Sequence, residues 1–541
     1  MFLSAVTLSR LEINEFGMML NSAFYGRNRG MAFSVLTEPV IPVLMCDGTH
    51  TSMGIRDVFL RAHEIRDIEA SSPLERYALV RLLVAIAMDM SQLSDSEDRI
   101  KLWERRCFDS IRFDSYIMKC EQDTPRFNLF DEKHPFMQSP YDSKLDDDSK
   151  IKPVALLFHS VPSGNNHIFF DHRPETVQEV SSAEAFRALC TCYLFSVADK
   201  RGPGSVNRVL PIYCTILRHN LFETLVLNML SEKESMPVPY GVGKVPWRNG
   251  REMVPKEEVA SISMLEGLTW MPRRVTLISN SHQTVRQVYF QPGLKFTGDR
   301  RWKDPHVPYI KKSKKATDYK PLMPQLGRAV WRDAGCFLRD DGATFSQPAT
   351  LRCMENVLEV EDMFDLVSVR ASGLMTTQSK CEDWCEEELR LPSSILREYE
   401  LAYQFRSDIA TVEEIQNALF KAVRDYVDAD MISRKEQTET SSKRAKPQEF
   451  ALQCRQFFLH KAHDLLFGKC LDEICKNMPD SEHSLHFCDE LRIILRETLG
   501  SVLACSGNDR RNQMKQLDAE KQVWRYFGSA VKRRRKSYET S

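Results

Sequence analysis

The stretch PRFNLFDEKHPFMQSP, residues 125–140, combines one histidine with two carboxylates and could therefore supply a general acid and a general base. Pro135 follows His134 and biases that histidine towards an extended backbone. Asp131 and Glu132 are typical of a solvated turn. The large apolar side chains favour a packed, rigid connector over a catalytic site, and they are Phe127, Leu129, Phe130, Phe136 and Met137.

A second candidate chemistry is phosphate binding by a glycine-rich loop. Such a loop requires G-x-x-x-x-G-K-[ST], because its backbone amides cradle phosphates and its hydroxyl holds magnesium. In VPYGVGKV, Val238 stands where the first glycine belongs and Val245 stands where the hydroxyl belongs. The segment therefore does not meet the requirement for a phosphate-binding loop.

Histidines beside acidic residues raise the possibility of metal-dependent hydrolysis. His463 and Asp464 form a single HD pair on a helical stretch, without the further His and Asp that a metal-dependent phosphohydrolase needs. His159, His167 and His172 are close in sequence but lie in a loop with one acidic neighbour. We favour surface or structurally satisfied histidines and predict no catalytic residue. A metal-dependent phosphohydrolase or nuclease stays an alternative.

The fifteen cysteines lack the paired C-x-x-C steps from which four thiolates converge on zinc. Cys190 and Cys192 lie one residue apart in a helical pattern, so they point to different faces of the helix. The other close pairs are isolated, at Cys381/Cys385 and Cys470/Cys475. We therefore predict no metal, no cofactor and free thiols, which are typical of a reducing compartment.

Composition places the chain among globular proteins of two to four domains. It has 541 residues, 28% of them charged, and a formal net charge of −1. With no global field, any nucleic-acid contact must come from local basic patches. No run of about eighteen apolar residues occurs, so we predict no membrane contact and a cytoplasmic location.

The predicted secondary structure that positions the candidate residues changes near Pro392, from mixed strands and helices to helices alone. From Phe33 to that point, short β-branched strands alternate with amphipathic helices, which predicts an α+β fold without a doubly wound sheet. Helices are expected over 74–90, 182–200 and 210–230. Residues 1–30 read as an N-terminal extension that precedes a mixed α/β domain over 31–392.

After Pro392 almost no strand signal remains, and we predict a four-helix bundle over 393–541. Residues 433–447 form a polar linker without core residues. The predicted helices cover 394–432, 448–476, 481–505 and 509–532. One expected apolar stripe comprises Leu485, Cys488, Leu491, Ile494, Leu495 and Leu499.

The opening stretch also carries a family resemblance. FNLFDEKHPFMQ resembles the F-x-L-F/N-x-x-x-H-P-F-M-Q signature of the Cascade large subunit, the CasA family of type I-E CRISPR systems. Further stretches resemble family segments in the same order, namely FSVLTEPVIPVLMCDG, VPSGNNHIFFDH, SMLEGLTWMPRRVTL and GLMTTQSKCEDW. The resemblance covers about residues 31–535.

The resemblance implies a non-catalytic subunit of an RNA-guided surveillance complex. Such a subunit recognises the protospacer-adjacent motif (PAM) in double-stranded DNA, starts the unwinding that leads to an R-loop, and supports recruitment of the helicase-nuclease. The implied partners are CRISPR guide RNA, target DNA, and the backbone, small and handle-binding Cascade subunits. Guide pairing reads the remaining sequence. A pure assembly scaffold is a further alternative.

Three devices of the family correspond to residues of this chain. Gly202 and Gly204, in RGPGS, match a glycine loop through which main chain approaches the minor groove. Lys295, in PGLKFTG, matches a lysine finger that reaches minor-groove acceptors. A hairpin tip matches the wedge that enters the duplex, with the glutamine inserted, and comprises Thr377, Gln378 and Ser379.

Two more groups are implied to contact partners. The loop Pro162–Phe170 resembles a family segment near guide, backbone subunits and DNA, and its candidate contacts are Ser163, Gly164, Asn165, Asn166 and Phe169. A basic track could neutralise phosphates of duplex or displaced strand, and comprises Arg300, Arg301, Lys303, Lys311, Lys312, Lys314 and Lys315. KRRRK, residues 532–536, could do the same at the end of the bundle.

Overall fold

The structure is a computed structural model in which side chains are placed. It describes residues 32–122, 126–161, 178–198, 203–235, 241–249, 254–280, 283–298, 302–311, 316–340, 344–358, 366–377, 380–428, 449–476, 478–503 and 510–539. The predicted extension 1–30 and the predicted linker 433–447 lie outside the described residues.

The described residues divide into two compact units. Unit 1 takes in the described parts of Met1–Arg328, Pro348–Met363 and Ser368–Glu388. Unit 2 takes in those of Ala329–Gln347, Phe364–Val367 and Leu389–Ser541. Residues 329–347, which lie inside the predicted mixed α/β domain, therefore belong to unit 2.

The strands are short until a long hairpin late in the sequence. They are β1 Ile41–Met45, β2 His50–Met53, β3 Ile65–Ile68, β4 Ile151–Pro153, β5 Val180–Ser181, β6 Tyr213–Leu217, β7 Glu258–Val259, β8 Arg273–Ser279, β9 Thr284–Pro292, β10 Lys295–Phe296, β11 Tyr309–Lys311, β12 Tyr319–Pro321, β13 Phe345–Ser346, β14 Leu366–Thr377 and β15 Lys380–Pro392.

Several small sheets replace one large sheet in unit 1. Strand order is β2-β1-β3 in one sheet and β15-β14-β6 in another. β9 is central to a third sheet, where it pairs antiparallel with β4, β5 and β8. β11 pairs antiparallel with β12, and β10 pairs parallel with β7. Mixed helix and sheet confirm the predicted α+β class.

The helices of unit 1 surround one buried helix. They are α1 Ile55–Leu60, α2 Pro73–Ser91, α3 Ser96–Glu104, α4 Ser110–Cys120, α5 Ser182–Leu194, α6 Leu221–Asn228, α7 Pro246–Asn249, α8 Met264–Leu268, α9 Ala349–Cys353 and α10 Glu355–Leu358. Short 3₁₀ turns cover Asp148–Lys150 and Val154–Leu157.

α2 is the central helix because it is apolar on nearly every face. The Ser72 hydroxyl caps it by accepting from the Glu75 amide at 3.2 Å, and Pro73 fits the first turn. It packs against α5, α6 and α8. No single described helix is long and apolar enough to cross a membrane, and α2 and α3, which pass that test only together, are bent by 105°.

The predicted helix over 210–230 is wrong in its first half. Tyr213–Leu217 is strand β6, which pairs antiparallel with β14 from Leu217 opposite Ser368 to Tyr213 opposite Ser372. A separate helix, α6, begins after Asn220, whose side chain accepts from the Glu223 amide at 2.9 Å. Its aromatic and β-branched side chains, Tyr213, Thr215 and Ile216, favour a strand, whereas a short apolar run by itself fits a strand or a buried helix.

Unit 2 contains the predicted four-helix bundle. Its helices are α11 Ser393–Arg397, α12 Tyr399–Val423, α13 Glu449–Asp464, α14 Leu471–Cys475, α15 Asp480–Thr498 and α16 Arg510–Glu539. π-helical turns follow three of them, over Arg424–Asp428, Leu465–Cys470 and Leu499–Leu503. α12 packs against α13 and α16, and α15 packs against the same two helices, which closes the bundle.

A 3₁₀ helix over Val330–Phe337 packs on α12 in the same unit. Arg332 joins this 3₁₀ helix to α12 by donating from Nη2 to Glu413 Oε2 at 2.9 Å. The expected stripe on α15 is buried except for Leu485, which is 49% exposed. His483 takes the inward position that the stripe predicts for Leu485, because its ring is paired with buried carboxylates.

Candidate nucleic-acid interface

The loop after α5 closes on itself at Gly204. The Ser205 amide donates to the Ser196 carbonyl at 2.9 Å, and a Cβ on Gly204 would lie 2.9 Å from the Ala198 nitrogen. Only glycine permits this approach of two backbone segments. The absence of a side chain at position 204 is therefore required by the loop itself. Gly202 lies outside the described residues.

Lys295 stands at the surface on β10. Its backbone is fixed by pairing with β7, and its amide donates to the Glu257 carbonyl at 2.8 Å. The side chain is 54% exposed, and Nζ donates to Glu258 Oε1 at 2.6 Å. Glu258 is itself 61% exposed, so solvent screens this pair and the ammonium can exchange its partner at little cost.

Two arginines hold the Gly204 loop, one to β8 and the other to the strand of Lys295. Arg273 on β8 donates from Nη1 to the Pro203 carbonyl at 2.6 Å and from Nη2 to the Val197 carbonyl at 2.8 Å. Arg208 donates to the Gly298 carbonyl at 2.5 Å, and its guanidinium lies 5.2 Å from the Phe296 ring centroid. The structure therefore brings two of the implied devices together.

A buried ion pair lies beneath this surface. Arg81 on α2 donates to Asp304 Oδ2 at 2.7 Å, and both side chains are at most 2% exposed. Asn207, from the glycine-loop segment, donates to the same carboxylate at 3.1 Å. Burial alone would raise the pKa of Asp304, but the Arg81 guanidinium outweighs burial and lowers it. The Arg81–Asp304 pair thereby joins α2, the glycine-loop segment and the segment after Lys303.

His306 completes the network as a neutral imidazole. Its Nε2 donates to the Asn228 carbonyl at 2.9 Å. Burial lowers its pKa to about 4, and the nearby Arg81 charge acts in the same direction against the opposing effect of Asp304. The side chain is therefore uncharged at neutral pH, and it serves to position the segment that follows Lys303.

The described part of the basic track is partly packed. Lys303 Nζ lies 4.5 Å from the Tyr319 ring centroid and 5.3 Å from that of Tyr309. Burial and the nearby Arg352 lower the pKa of Lys303. Lys311 Nζ lies 5.7 Å from the Tyr319 ring. The ammonium groups of both lysines therefore lie against tyrosine rings. The other track residues lie outside the described residues, and they are Arg300, Arg301, Lys312, Lys314 and Lys315.

The implied wedge residues follow β14 and precede β15, which form an antiparallel hairpin held by ion pairs. β14 ends at Thr377, which is exposed, and β15 begins at Lys380. Arg370 donates to Asp67 Oδ2 at 2.7 Å, and Arg76 pairs with Glu386 at 2.6 Å. Gln378 and Ser379 lie outside the described residues.

One apolar cluster connects the hairpin, the glycine loop and the basic track. Leu374 of β14 packs in a buried cluster with residues that flank the loop and the track. The members are Leu74, Tyr77, Phe195, Leu210, Tyr213, Val307, Tyr309 and Leu374. Among the described residues, the loop and Lys295 are joined directly, whereas the hairpin joins them through this cluster.

The implied guide-contacting loop cannot be placed in the same way. Its five candidate residues lie outside the described residues, and they are Ser163, Gly164, Asn165, Asn166 and Phe169.

The hydrolase alternative finds little geometric support in the described residues. His463 Nδ1 lies 3.3 Å from Asp464 Oδ1, both side chains are exposed, and the ring stacks on Phe467 at 5.0 Å. His159 Nε2 lies 3.4 Å from the Thr191 carbonyl. His167 and His172 lie outside the described residues.

Sequence reasoning missed a buried charge network in unit 2. His483 places Nε2 2.9 Å from Asp408 Oδ2 and Nδ1 2.9 Å from Glu473 Oε2. Burial alone would lower its pKa, but hydrogen bonding and the charge of Asp408, together with Glu473, raise it. Arg534 pairs with Asp408, so this member of KRRRK is buried and cannot meet a phosphate. The available signal in the sequence was a histidine, His483, at a position of α15 that faces the core.

Within the described residues, Asp408, Cys470 and His483 are the one group close enough to share a metal ion. Both ring nitrogens of His483 face carboxylates, and Arg534 contributes a second cation. The His483 ring and the Arg534 guanidinium thus already contact the carboxylates of this group.

The sequence of this chain is similar to those of known CRISPR-associated proteins. The family model for the CRISPR-associated protein Cse1 (CRISPR_cse1) matches residues 35–477. CRISPR-associated protein CasA/Cse1 of Thermus thermophilus is 29% identical over 376 residues, which cover 67% of this chain and 72% of that protein.

Solved structures share the fold over nearly the whole chain. Cse1 from Acidimicrobium ferrooxidans has a TM-score of 0.75 and 20% identity, and the match covers 93% of this chain and 99% of that one. Thermus thermophilus CasA (Cse1) has a TM-score of 0.72 and 23% identity over 92% and 99%. A chain of a CRISPR RNA-guided surveillance complex has a TM-score of 0.69 and 18% identity over 92% and 99%.

Proposed function

Because this chain belongs to the CRISPR-associated Cse1 family, we propose that it is the large subunit of a type I-E Cascade complex and that it recognises the PAM in duplex DNA. Its partners are guide RNA, target DNA, the other Cascade subunits and the helicase-nuclease. It performs no covalent chemistry. The observation that carries this proposal is the joining of the Gly204 loop and the Lys295 strand by Arg208, which donates to the Gly298 carbonyl and lies over the Phe296 ring.

Lys295 is suited to read a minor groove because its partner is exchangeable. The groove presents acceptors that look alike for A·T and T·A, so a flexible ammonium reads it tolerantly. On binding, Nζ leaves Glu258 and donates to base acceptors, while β10 stays paired with β7. The fixed backbone limits the entropy lost when the side chain orders.

The hairpin tip is suited to enter the duplex beside the motif. Opening a base step costs a few kcal/mol, and an inserted side chain offsets part of this by filling the gap. Gln378 would occupy that gap and offer amide hydrogen bonds to exposed bases. The Arg370–Asp67 and Arg76–Glu386 pairs fix both strands of the hairpin to the β3 and α2 segments.

A matched lysine pair provides the test. We expect Lys295→Ala to weaken motif-dependent target binding by the reconstituted complex about tenfold, which corresponds to ~1.4 kcal/mol. Lys101→Ala is the control, because Lys101 also donates to an exposed carboxylate, Glu97, at 2.8 Å. Electrophoretic mobility shift on randomised-motif targets measures both variants.

Equal affinities and equal motif preference for Lys295→Ala and Lys101→Ala would refute minor-groove reading by Lys295. Unchanged target binding together with failed complex assembly on altering unit 2 would instead support a pure scaffold. Metal-dependent nuclease activity that disappears in Asp464→Ala would support the hydrolase alternative.

A further inference from the structure

A group of three unlike metal-binding side chains lies in the core of the four-helix bundle in unit 2. Asp408 on α12, Cys470 at the end of its π-helical turn and His483 on α15 are each at most 1% exposed. One ligand atom from each residue lies within 4.8 Å of the other two. The three residues come from separate elements and include a single cysteine, so no C-x-x-C step in the sequence indicates them.

The separations within the group are close to those around a tetrahedral zinc ion. Donor atoms that lie about 2.0–2.3 Å from Zn²⁺ lie roughly 3.3–3.6 Å from one another. His483 Nε2 lies 2.9 Å from Asp408 Oδ2, and the three ligand atoms all fall within 4.8 Å of one another. The nitrogen and the oxygen therefore need to separate by roughly 0.4 Å to admit the ion.

The second nitrogen of the His483 ring has the partner that a zinc-bound histidine usually has. Its Nδ1 lies 2.9 Å from Glu473 Oε2. A histidine that binds a metal through one nitrogen usually donates from the other nitrogen to a carboxylate or carbonyl, which fixes the orientation of the ring. Glu473 Oε1 lies 3.3 Å from His486 Nδ1, so the orienting carboxylate is itself held.

Arg534 contacts the oxygen of Asp408 that faces away from His483. Its guanidinium pairs with Oδ1, whereas Oδ2 faces the His483 ring. Arg534 Nε donates to the Ser484 hydroxyl at 3.3 Å, and its Cζ lies 4.5 Å from the Phe487 ring centroid. Carboxylates that bind a metal are commonly hydrogen-bonded in turn. The arginine therefore leaves one oxygen of Asp408 for an ion.

The buried charges balance with a divalent ion in place. Zn²⁺ and Arg534 would balance the carboxylates of Asp408 and Glu473 together with the Cys470 thiolate. Without the ion, Arg534 and a protonated His483 face the same two carboxylates. The ion therefore replaces one proton on His483 and one on Cys470, and neither form buries a net charge.

We propose that Asp408, Cys470 and His483 bind one Zn²⁺ ion through Oδ2, Sγ and Nε2, with a water molecule in the fourth tetrahedral position. A thiolate and an imidazole suit zinc, whereas Mg²⁺ and Ca²⁺ select oxygen ligands. Glu473 and Arg534 are positioning residues. The ion joins α12, the π-helical turn and α15, and its binding energy stabilises the bundle. The site does not depend on the proposed DNA contacts in unit 1.

A network of ion pairs without a metal is the alternative, and Cys470 distinguishes the two. In such a network the buried thiol acts as a small apolar side chain, so its loss leaves every charge and every ion pair in place. In the zinc site the same thiol supplies a ligand, so its loss removes the strongest indicator of metal binding.

Metal analysis and cobalt spectroscopy of the purified chain test the site. After refolding with Zn²⁺ and removal of the free ion, we expect about one equivalent of zinc per chain by plasma mass spectrometry. Co²⁺ in its place should give the absorption of a thiolate–cobalt bond and the strong visible bands of tetrahedral coordination. Mg²⁺ should not displace it, and Cys470→Ala should lose the thiolate absorption.

The matched control is Cys454→Ala, which removes another fully buried thiol from the same unit. We expect this variant to keep the cobalt spectrum and the zinc affinity of the unmodified chain. Glu473→Gln should lower the zinc affinity about tenfold to a hundredfold and shift the visible cobalt bands, because the His483 ring loses its orienting charge. Zn²⁺ should raise the unfolding temperature of Cys454→Ala but not that of Cys470→Ala.

X-ray absorption at the zinc edge of the unmodified chain gives a test that needs no variant to fold. We expect one sulfur at about 2.3 Å and nitrogen or oxygen ligands at about 2.0–2.1 Å. The proposal is overturned if the refolded chain retains no zinc, or if the zinc has no sulfur ligand. A cobalt spectrum that persists unchanged in Cys470→Ala would show an adventitious ion only, and would also overturn it.

Discussion

At the scale of single residues, the interface combines one exchangeable ion pair with one fixed pair. Lys295 and Glu258 are both more than half exposed, whereas Arg81 and Asp304 are buried. Exposed pairs contribute little to stability, and buried pairs strongly resist the removal of one partner. Lys295 can thus exchange Glu258 for another partner while the Arg81–Asp304 pair keeps the surrounding segments in place.

The buried His306 predicts a pH dependence of stability. Its pKa is about 4 in the folded chain against an ordinary value of 6.5, so the unfolded chain binds a proton that the folded chain rejects. The free energy of unfolding should therefore fall as pH drops from 6.5 towards 4, by a contribution on the order of 3 kcal/mol. Urea denaturation at several pH values measures it.

His306→Gln should flatten this decline, because the amide can still donate to the Asn228 carbonyl but does not titrate. His460→Gln, which replaces an exposed histidine in unit 2, controls for the removal of one titratable side chain. A decline in His306→Gln as steep as in the unmodified chain would show that the buried imidazole does not cause it.

Sequence reasoning could not find the residues held by distant partners. Arg81 and Asp304 lie 223 positions apart, and Asp408 and His483 lie 75 apart. A helical period identifies apolar positions such as Leu491, but it cannot reveal which polar residue is compensated in the core. For that reason the apolar stripe predicts an inward Leu485 and the basic run predicts an exposed Arg534, and both predictions are wrong.

At the scale of elements, β14 and β15 are the two longest strands of the described residues, and their hairpin is held by ion pairs and by packing. Arg370 of β14 pairs with Asp67, Glu386 of β15 pairs with Arg76, and Leu374 lies in the buried cluster. Thr376 and Thr377 are exposed where β14 ends.

The hairpin therefore predicts separable effects at tip and arm. Gln378→Ala should leave complex assembly intact but slow target opening about tenfold, because the side chain that fills the unstacked step is removed. Thr376→Ala is the control, since it changes an exposed neighbour that is not assigned to the duplex. Stopped-flow kinetics of R-loop formation measures both. Equal rates for the two variants would remove Gln378 from the mechanism.

Element type was predictable wherever the hydrophobic period was long. The helices of the bundle and α5 follow from such patterns, although α5 ends at Leu194, earlier than expected. The region 210–230 was not predictable, because a five-residue buried strand and a buried helix segment present similar apolar runs. Of the candidate site, the family resemblance supplied Lys295 and Gly204, whereas their connection through Arg208 became visible only in the folded chain.

At the scale of the whole molecule, the net charge of −1 leaves DNA affinity to local cations. The basic track around Lys303 and Lys311 lies in unit 1, as do Lys295 and Gly204. Since phosphate contacts carry no sequence information, the track should add affinity without altering motif preference.

The track predicts a change in salt dependence. Replacing Lys311, Lys312, Lys314 and Lys315 by Ala should lower the slope of log affinity against log salt by up to ~0.9 for each phosphate that is no longer neutralised. Replacing Lys101, Lys119, Lys150 and Lys233 removes the same charge elsewhere in unit 1 and serves as the control. Filter binding at several salt concentrations measures both. Identical slopes for the two sets would show that the track does not meet phosphates.

The central claim is that this subunit opens duplex DNA by groove contact and insertion, without chemistry. Its most direct measurement uses a target with 2-aminopurine in the base pairs beside the motif, bound by complexes reconstituted with and without this chain. We predict a rise in fluorescence with the complete complex, a lower rise with Lys295→Ala or Gln378→Ala, and none when the chain is omitted. An equal rise in the complex that lacks the chain would contradict the claim.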